Sequence, residues 1–148
     1  MSLKKDKEFK RALNYSFLLL KYRERSCREI EVRLKRKKFS SEVIKKVIDY
    51  LKENNFIDDK KFALKYAEEK LLQGFGKRLI NFQLKRLGIK PSIIEEIFKQ
   101  LQTTIDTQRI LKELIIKLKQ KKDRGRIFRY LYQRGFDFEE IEKAYENI

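Results

Sequence analysis

The sequence predicts an all-α protein that consists of three tandem three-helix repeats in an extended, curved array. Apolar residues recur at helical spacing along the chain, and no stretch alternates between apolar and polar residues as a half-buried strand does. One short pattern also occurs three times, at intervals of about fifty residues, which lies in the range of helical arrays. The first observation predicts the helices, and the second predicts the repeat.

The repeated pattern surrounds three leucines, Leu34, Leu84 and Leu131. An isoleucine lies four residues before each leucine, and a phenylalanine or an isoleucine lies five residues after it. A three-helix unit of this size buries little apolar surface alone, so we expect each repeat to be stabilised by its neighbours. The predicted repeats are residues 1–55, 56–103 and 104–148. A single globular helical bundle is the alternative.

The first repeat is expected to begin with a frayed basic leader up to about Lys7, followed by a helix over residues 8–22. Ser26 starts the second helix, because the Ser-x-x-Glu pattern that begins there is a capping box. Either Ser40 or Ser41 caps the third helix. The side chains predicted to point inward are Leu13, Phe17, Leu20, Cys27, Ile30, Leu34, Val43, Ile44, Val47, Ile48 and Leu51.

In the second repeat, Asp58 is placed to cap the first helix with its carboxylate. Gly74 and Gly76 are expected to adopt positive φ and to end that helix. Gly88 ends the second helix, and Pro91 opens the third, where the amides of the first turn need no helical partner. The predicted inward side chains are Phe62, Ala63, Tyr66, Ala67, Leu71, Ile80, Leu84, Leu87, Ile93, Ile94, Ile97, Phe98 and Leu101.

The third repeat is predicted to contain a helix over residues 106–120, a charged break over 121–125, a helix that ends at Gly135, and a last helix over 137–147. The predicted inward side chains are Ile110, Leu111, Leu114, Leu118, Ile127, Phe128, Leu131, Phe138, Ile141, Ala144 and Tyr145.

The net charge of +16 favours an anionic partner, above all nucleic acid. Basic residues concentrate in and just before the second helix of each repeat, so stacked repeats would line them into one positive band along a phosphate backbone. An ordinary solvated helix face is the alternative interpretation. The predicted partner or DNA contacts are Arg23, Arg25, Arg28, Lys35, Arg36, Lys77, Arg78, Lys85, Arg86, Lys122, Arg124 and Arg126. The aromatic residues near them are expected in the core rather than stacked on bases; these are Phe82, Phe128, Tyr130 and Tyr132.

The residue types argue against catalysis. The chain has no histidine, so histidine bases and histidine metal ligands are excluded, and its paired carboxylates fall at helix starts or on solvated faces. We expect no catalytic residue, no metal and no cofactor. The single cysteine, Cys27, rules out an internal disulfide and is interpreted as a small core residue of a cytoplasmic protein. The N-terminus is too polar for a signal peptide, and we expect no membrane partner.

Taken together, these residues resemble the RecX family, the bacterial regulators of the RecA recombinase. The segments that carry the resemblance are YRERS and REI within residues 22–30, FIDDKKFA and Tyr66 within residues 56–66, and GFGKRLI with Leu84, Leu87, Gly88 and Ile89 within residues 74–89. The match is dense from Tyr22 to Ile97 and thinner in the last repeat. Lys38 departs from the glycine that the family usually has after the second helix, so we expect either a strained left-handed lysine or a different turn.

The resemblance implies a non-enzymatic negative modulator of RecA. Proteins of this family are similar in lying along the groove of the RecA filament on single-stranded DNA, where they limit filament extension, ATP turnover and strand exchange. The implied partners are the RecA filament and single-stranded DNA, with duplex DNA as a further option, and the protein is expected to be a monomer. Two alternatives remain: a plain basic helical-repeat protein that binds DNA or RNA without a recombinase, and a basic scaffold for acidic proteins or membrane surfaces.

Overall fold

A computed structural model describes residues 3–148, and this part of the chain folds into nine α-helices without any strand. The prediction of an all-α repeat protein is confirmed. The helices are α1 (Leu3–Tyr22), α2 (Cys27–Arg36), α3 (Ser41–Glu53), α4 (Asp59–Leu72), α5 (Lys77–Arg86), α6 (Pro91–Gln102), α7 (Thr107–Leu118), α8 (Arg124–Gln133) and α9 (Phe138–Glu146).

The described residues divide into two compact units. Unit 1 contains the residues up to Phe62 together with Leu87–Ile89, and unit 2 contains Ala63–Arg86 and Lys90–Ile148. Helices α1 to α3 belong to unit 1, and α5 to α9 belong to unit 2. The division into repeats at residues 1–55, 56–103 and 104–148 stays a prediction.

The core of unit 1 is built where α1 and α2 pack on α3. The apolar stripe of α3 is buried as predicted, and so are Ile30 and Leu34 of α2, whereas Cys27 is half-buried. Helix α1 differs from the prediction, because its buried side chains are Ala12, Ser16 and Leu19. The predicted residues Leu13, Phe17 and Leu20 flank that stripe and are partly buried.

The start of α1 corrects a second expectation. The predicted frayed leader is helical from Leu3 onward, and Met1 and Ser2 lie outside the described residues. The physical reason is tertiary: the Lys5 ammonium lies 2.6 Å from a carboxylate oxygen of Glu42 on α3, and the carboxylate of Glu8 accepts a hydrogen bond from the Ser40 amide at 3.2 Å. Contacts with the start of α3 therefore stabilise the first turns of α1, whose helical stability would be marginal in isolation.

Unit 2 buries one row of side chains from each helix. Its buried residues include Ala63, Ala67, Leu71, Ile80, Leu84, Ile94, Ile97, Phe98 and Leu101, and a further cluster of Leu111, Ile115, Ile127, Leu131, Phe136, Ile141 and Ala144. Phe138 was predicted to point inward, but it is 54% exposed. Its ring stacks on that of Tyr132 with centroids 4.5 Å apart, so it covers a neighbouring ring instead of entering the core.

Local signals place most helix ends correctly. Ser26 forms the predicted capping box with Glu29, Ser40 caps α3, and the Asp58 carboxylate accepts from the amides of the first turn of α4. Pro91 is the first residue of α6. These ends were predictable because each cap is made by residues within three positions of the helix start.

The second residue after each of α2, α5 and α8 is left-handed. Lys38 has φ 66°, Gly88 has φ 84° and Gly135 has φ 105°. Lys38 thus keeps the glycine conformation instead of adopting another turn. Gly74 is also left-handed, with φ 88°, but Gly76 does not have positive φ, which corrects the prediction for that residue.

Candidate functional site

The N-terminal side of α2 carries the first predicted basic cluster, and two of its arginines are held within unit 1. The Arg23 guanidinium bonds the Glu29 carboxylate, and this hydrogen bond raises the pKa of Arg23. The Arg25 Nε–H donates to the Leu19 carbonyl at 3.2 Å. Burial and the neighbouring Arg23 lower the pKa of Arg25, but an arginine stays charged at any physiological pH.

Arg28 and the last turn of α2 complete this cluster. The stem of Arg28 lies against Gly88, where an added Cβ would come 2.5 Å from the Arg28 Cβ. Lys35 and Arg36 are exposed and form no ion pair with any residue between 3 and 148. Unit 1 therefore holds part of its basic cluster in internal contacts and presents the two cations at the end of α2 to solvent.

The start of α5 meets the end of α8 through the backbone. The Gly76 amide donates to the Arg134 carbonyl at 2.8 Å, and the Arg78 amide donates to the Gly135 carbonyl at 3.1 Å. Amides at a helix start and carbonyls at a helix end both lack helical partners, so each end supplies what the other needs. Gly76 is glycine because an added Cβ would come 2.5 Å from the Phe136 nitrogen.

Two arginine side chains reinforce this meeting point. The Arg78 guanidinium donates to Asp137 at 3.0 Å and to the Tyr132 carbonyl, and it lies 4.0 Å from the centroid of the Tyr132 ring. Arg134 donates to the carbonyls of Gln73 and Gly74, each at 2.9 Å. Arg78 was predicted as a partner contact, but its guanidinium already forms hydrogen bonds and an ion pair inside unit 2.

Arg134 was missed by the sequence analysis. Its guanidinium also lies 3.9 Å from the centroid of the Phe75 ring, so it joins the end of α8 to the turn after α4. No local pattern marks this role, because the two carbonyls to which it donates are about sixty residues away in the sequence. A repeat alignment places Arg134 opposite Leu87, which gives no hint of a polar function.

The end of α5 differs from its start. At the start, Lys77 lies over the Phe98 ring, with its nitrogen 5.2 Å from the centroid. Lys85 and Arg86 are exposed in the last turn and form no ion pair with any residue in the described range. Arg86 lies 5.8 Å from the centroid of the Phe82 ring. These two cations are therefore available to an external anion.

The third basic cluster surrounds the start of α8 and contacts aromatic rings. Arg124 lies 4.5 Å from the Phe128 centroid, and Lys122 lies 5.6 Å from the Tyr130 centroid. Arg126 is exposed, and its side chain has no ion pair among residues 3–148. A cation over a ring keeps its charge and one open side, so this cluster can still approach a phosphate.

Of the four aromatic residues that were predicted to lie in the core, two are partly buried and two are exposed. Phe128 and Tyr130 are partly buried and pack against the cluster of α7 to α9. Tyr132 is 41% exposed and Phe82 is 57% exposed, so for these two the prediction is wrong. Both lie on the outer face of a second helix, beside cations.

A cleft of about 710 Å³ in unit 2 is the candidate for a small ligand. Basic and acidic side chains both line it, among them Lys77 and Glu140. Burial raises the pKa of the Glu140 carboxyl. The Gln108 Oε1 beside it has no hydrogen-bond partner in the described part of the chain. The mixed lining selects neither an anion nor a cation, so no ligand class follows from it.

Residues 3–148 offer little to metal chemistry or to a membrane. No group of three or more histidine, cysteine, aspartate or glutamate side chains in that range is placed to hold a metal. None of the helices described is both long and apolar enough to cross a membrane. Burial, followed by the charge of Asp59, raises the pKa of the Cys27 thiol to about 12, so this cysteine is not an activated nucleophile.

Comparison with known proteins gives consistent results. The family model described as RecX, first three-helix domain, matches residues 12–51. The Regulatory protein RecX of Thermotoga maritima is 38% identical over 146 residues, which is 98% of this chain and 89% of that protein. The Regulatory protein RecX of Caldanaerobacter subterraneus is 29% identical over 138 residues, covering 93% of this chain and 70% of that protein.

Two solved structures share the fold. The crystal structure of RecX from Lactobacillus salivarius superposes with a TM-score of 0.81 at 19% identity, covering 96% of this chain and 97% of that one. A second crystal structure, of regulatory protein RecX, gives a TM-score of 0.80 at 21% identity, covering 97% of this chain and 74% of that one.

Proposed function

This chain belongs to the RecX family, and on that premise we propose that it is a negative modulator of the RecA recombinase. In this proposal it binds the groove of the RecA filament on single-stranded DNA and limits filament extension, ATP turnover and strand exchange. Family membership is the observation that carries the proposal. The charge of +16 supports it, because the partner would expose DNA phosphates and acidic protein surface.

The protein would act as a monomeric binding protein in the cytoplasm, without chemistry of its own. All the basic residues predicted from the sequence remain proposed contacts. We expect those that already bond groups of their own unit to contribute less to binding than those that do not. Arg23, Arg25 and Arg78 already bond groups of their own unit. We expect six of the exposed cations to contribute most of the contact energy; these are Lys35, Arg36, Lys85, Arg86, Arg124 and Arg126.

The central test is the ATPase activity of RecA from the same organism, measured on single-stranded DNA while this protein is titrated in. We expect inhibition at protein concentrations well below those that coat the DNA, because a filament is blocked at few sites. Binding to naked DNA is measured in parallel. If ATP turnover is unchanged while the protein binds naked DNA tightly, the chain is a plain nucleic-acid-binding protein and the proposal fails.

A charge variant then tests the contact residues. Replacing Lys35, Arg36, Lys85 and Arg86 by glutamine should weaken inhibition. It should also lower the log–log salt slope of single-stranded DNA binding by about 0.7 for each phosphate that is no longer neutralised. The matched control removes the same charge elsewhere, by glutamine at the exposed residues Lys21, Lys99, Lys117 and Lys143. Equal weakening in both variants would mean that total charge, not this set, determines binding.

A further inference from the structure

Phe82 is a large aromatic side chain on the exposed face of a short helix. Its side chain is 57% exposed near the middle of α5, between the buried residues Ile80 and Leu84. An exposed phenylalanine contributes little to helix stability, because its helix propensity is below that of lysine, glutamine or glutamate. The local structure of α5 therefore gives no reason for an aromatic ring at this position.

The other exposed rings of the described chain differ from Phe82. Tyr50 stacks on Phe56, with centroids 6.5 Å apart, and Tyr132 stacks on Phe138. The Arg78 guanidinium also lies against the Tyr132 ring. Groups of unit 2 therefore already contact the faces of this ring. Tyr22 is 78% exposed, but it is the last residue of α1, and both arginines that follow it bond groups of unit 1. Phe82 combines an exposed ring with a fixed position inside a helix.

The charges around Phe82 point to one kind of partner. Helix α5 contains no acidic residue, and its last turn carries Lys85 and Arg86. Arg86 lies 5.8 Å from the Phe82 centroid, and neither cation is ion-paired within residues 3–148. Spacings of three and four residues put the ring and both cations on one side of the helix. A flat ring next to negative charge fits this arrangement.

We propose that Phe82 stacks on an unpaired base of single-stranded DNA while Lys85 and Arg86 contact the adjoining phosphates. Aromatic stacking combined with a basic groove is the general means by which proteins hold single strands without reading their sequence. Duplex DNA does not fit this site, because its base faces are covered by their neighbours. The site rests on the proposed function, to which it adds the residue that touches the bases.

The chain contains no tryptophan, which makes a direct test possible. In the otherwise unchanged protein, Phe82→Trp introduces the only tryptophan, which can be excited selectively in the presence of the seven tyrosines. We expect oligothymidylate to quench its emission in a saturable way, whereas a base-free deoxyribose-phosphate chain of equal length leaves it unchanged. The matched control is Phe138→Trp, since Phe138 is 54% exposed in the same unit but lies between Asp137 and Glu139. Its emission should be unaffected.

Two substitutions at the same residue test the contribution to binding. Phe82→Leu keeps an apolar side chain but removes the ring, and it should weaken oligothymidylate binding about tenfold, as expected for one stacked base. Phe82→Tyr retains the ring and should bind like the native protein. Because Phe82 is exposed, neither change should alter the helical circular dichroism signal.

The outcomes separate this site from the proposed function. Unquenched Phe82→Trp emission at saturating oligothymidylate, with binding verified by the anisotropy of labelled DNA, overturns the site. Equal affinity of the native protein and Phe82→Leu overturns it as well. If the native chain still inhibits the RecA ATPase in either case, the proposed function stands without this site. Quenching together with an unaffected ATPase supports the site and refutes the role in RecA regulation.

Discussion

Two joints in this molecule use the same repeat positions in different ways. In the first joint, within unit 1, the Ser26 hydroxyl donates to the Leu87 carbonyl at 2.7 Å. In the second joint, within unit 2, the Gly76 amide donates to the Arg134 carbonyl at 2.8 Å. The repeat alignment pairs Ser26 with Gly76 and Leu87 with Arg134. The bond of the first joint thus starts at the N-cap of α2, and the bond of the second starts at the residue just before α5.

The difference between the joints lies in how closely the chains approach. A side-chain hydroxyl spans the first joint, and there Gly88 lies against the side chain of Arg28. In the second joint backbone atoms meet directly, and Gly76 has no room for a Cβ beside the backbone of Gly135 and Phe136. The second joint adds the side-chain bonds of Arg78 and Arg134. We conclude that the position of Ser26 in unit 1 tolerates substitution better than the aligned position of Gly76 in unit 2.

The largest effect is expected from Gly76→Ala. The new Cβ would come 2.5 Å from the Phe136 nitrogen, and rigid backbone cannot move aside as a flexible side chain can. We expect the free energy of unfolding, measured by urea titration, to fall by about 3 kcal/mol. The matched control is Gly125→Ala in the first turn of α8, where the nearest atom is Asp123 Oδ1 at 3.6 Å. It should leave stability unchanged or slightly raised; a similar decrease in both variants would contradict the close-approach explanation.

A smaller effect is expected from Ser26→Ala in the first joint. This change removes the cap of α2 and the hydroxyl that bonds Leu87, and it should cost about 2 kcal/mol of unfolding free energy. Cys27 is the next residue and the only cysteine, so its rate of alkylation at neutral pH reports opening of this joint. We expect faster alkylation in Ser26→Ala. Ser41→Ala is the control, because Ser40 and not Ser41 caps α3; an equal change there would refute the role of the joint.

The smallest effect should come from Lys38→Gly. Lys38 is left-handed with φ 66° and exposed, and glycine adopts this conformation without the steric cost of a Cβ. We expect the variant to be about 0.5 kcal/mol more stable in thermal or urea unfolding. Lys37→Gly is the control, since Lys37 has φ −80° and glycine gains nothing there. If Lys38→Gly destabilises the protein, the left-handed conformation of Lys38 does not lower the free energy of unfolding.

Much of the fold was predictable because its signals are local. The capping box of Ser26 and Glu29 and the proline at the start of α6 lie within a few residues of the ends they define. The buried stripe of α3 follows from helical periodicity alone. Ala12 and Ser16 escaped prediction because small or polar residues give no periodic signal, although the Ser16 hydroxyl is satisfied by the Ala12 carbonyl at 2.9 Å.

The candidate site was less predictable. Sequence patterns located the basic clusters, but they did not separate Arg78, which bonds Asp137 and Tyr132, from Lys85, which faces solvent. They also assigned Phe82 to the core, although its ring is exposed. Helical spacing indicates that a residue shares a face with others, but whether that face is covered depends on which helix packs against it.

The helices, most of their ends, the repeat and the family could all be predicted from the order of residues, because caps, periodicity and spacing act between residues close together in the chain. The packing of the helices decides the rest. It determines which glycines lie too close to other atoms to carry a side chain, and which cations remain free to bind an external anion. A guanidinium bonds whichever carbonyl or carboxylate the fold brings to it, and for Arg78 and Arg134 those groups come from residues more than fifty positions away.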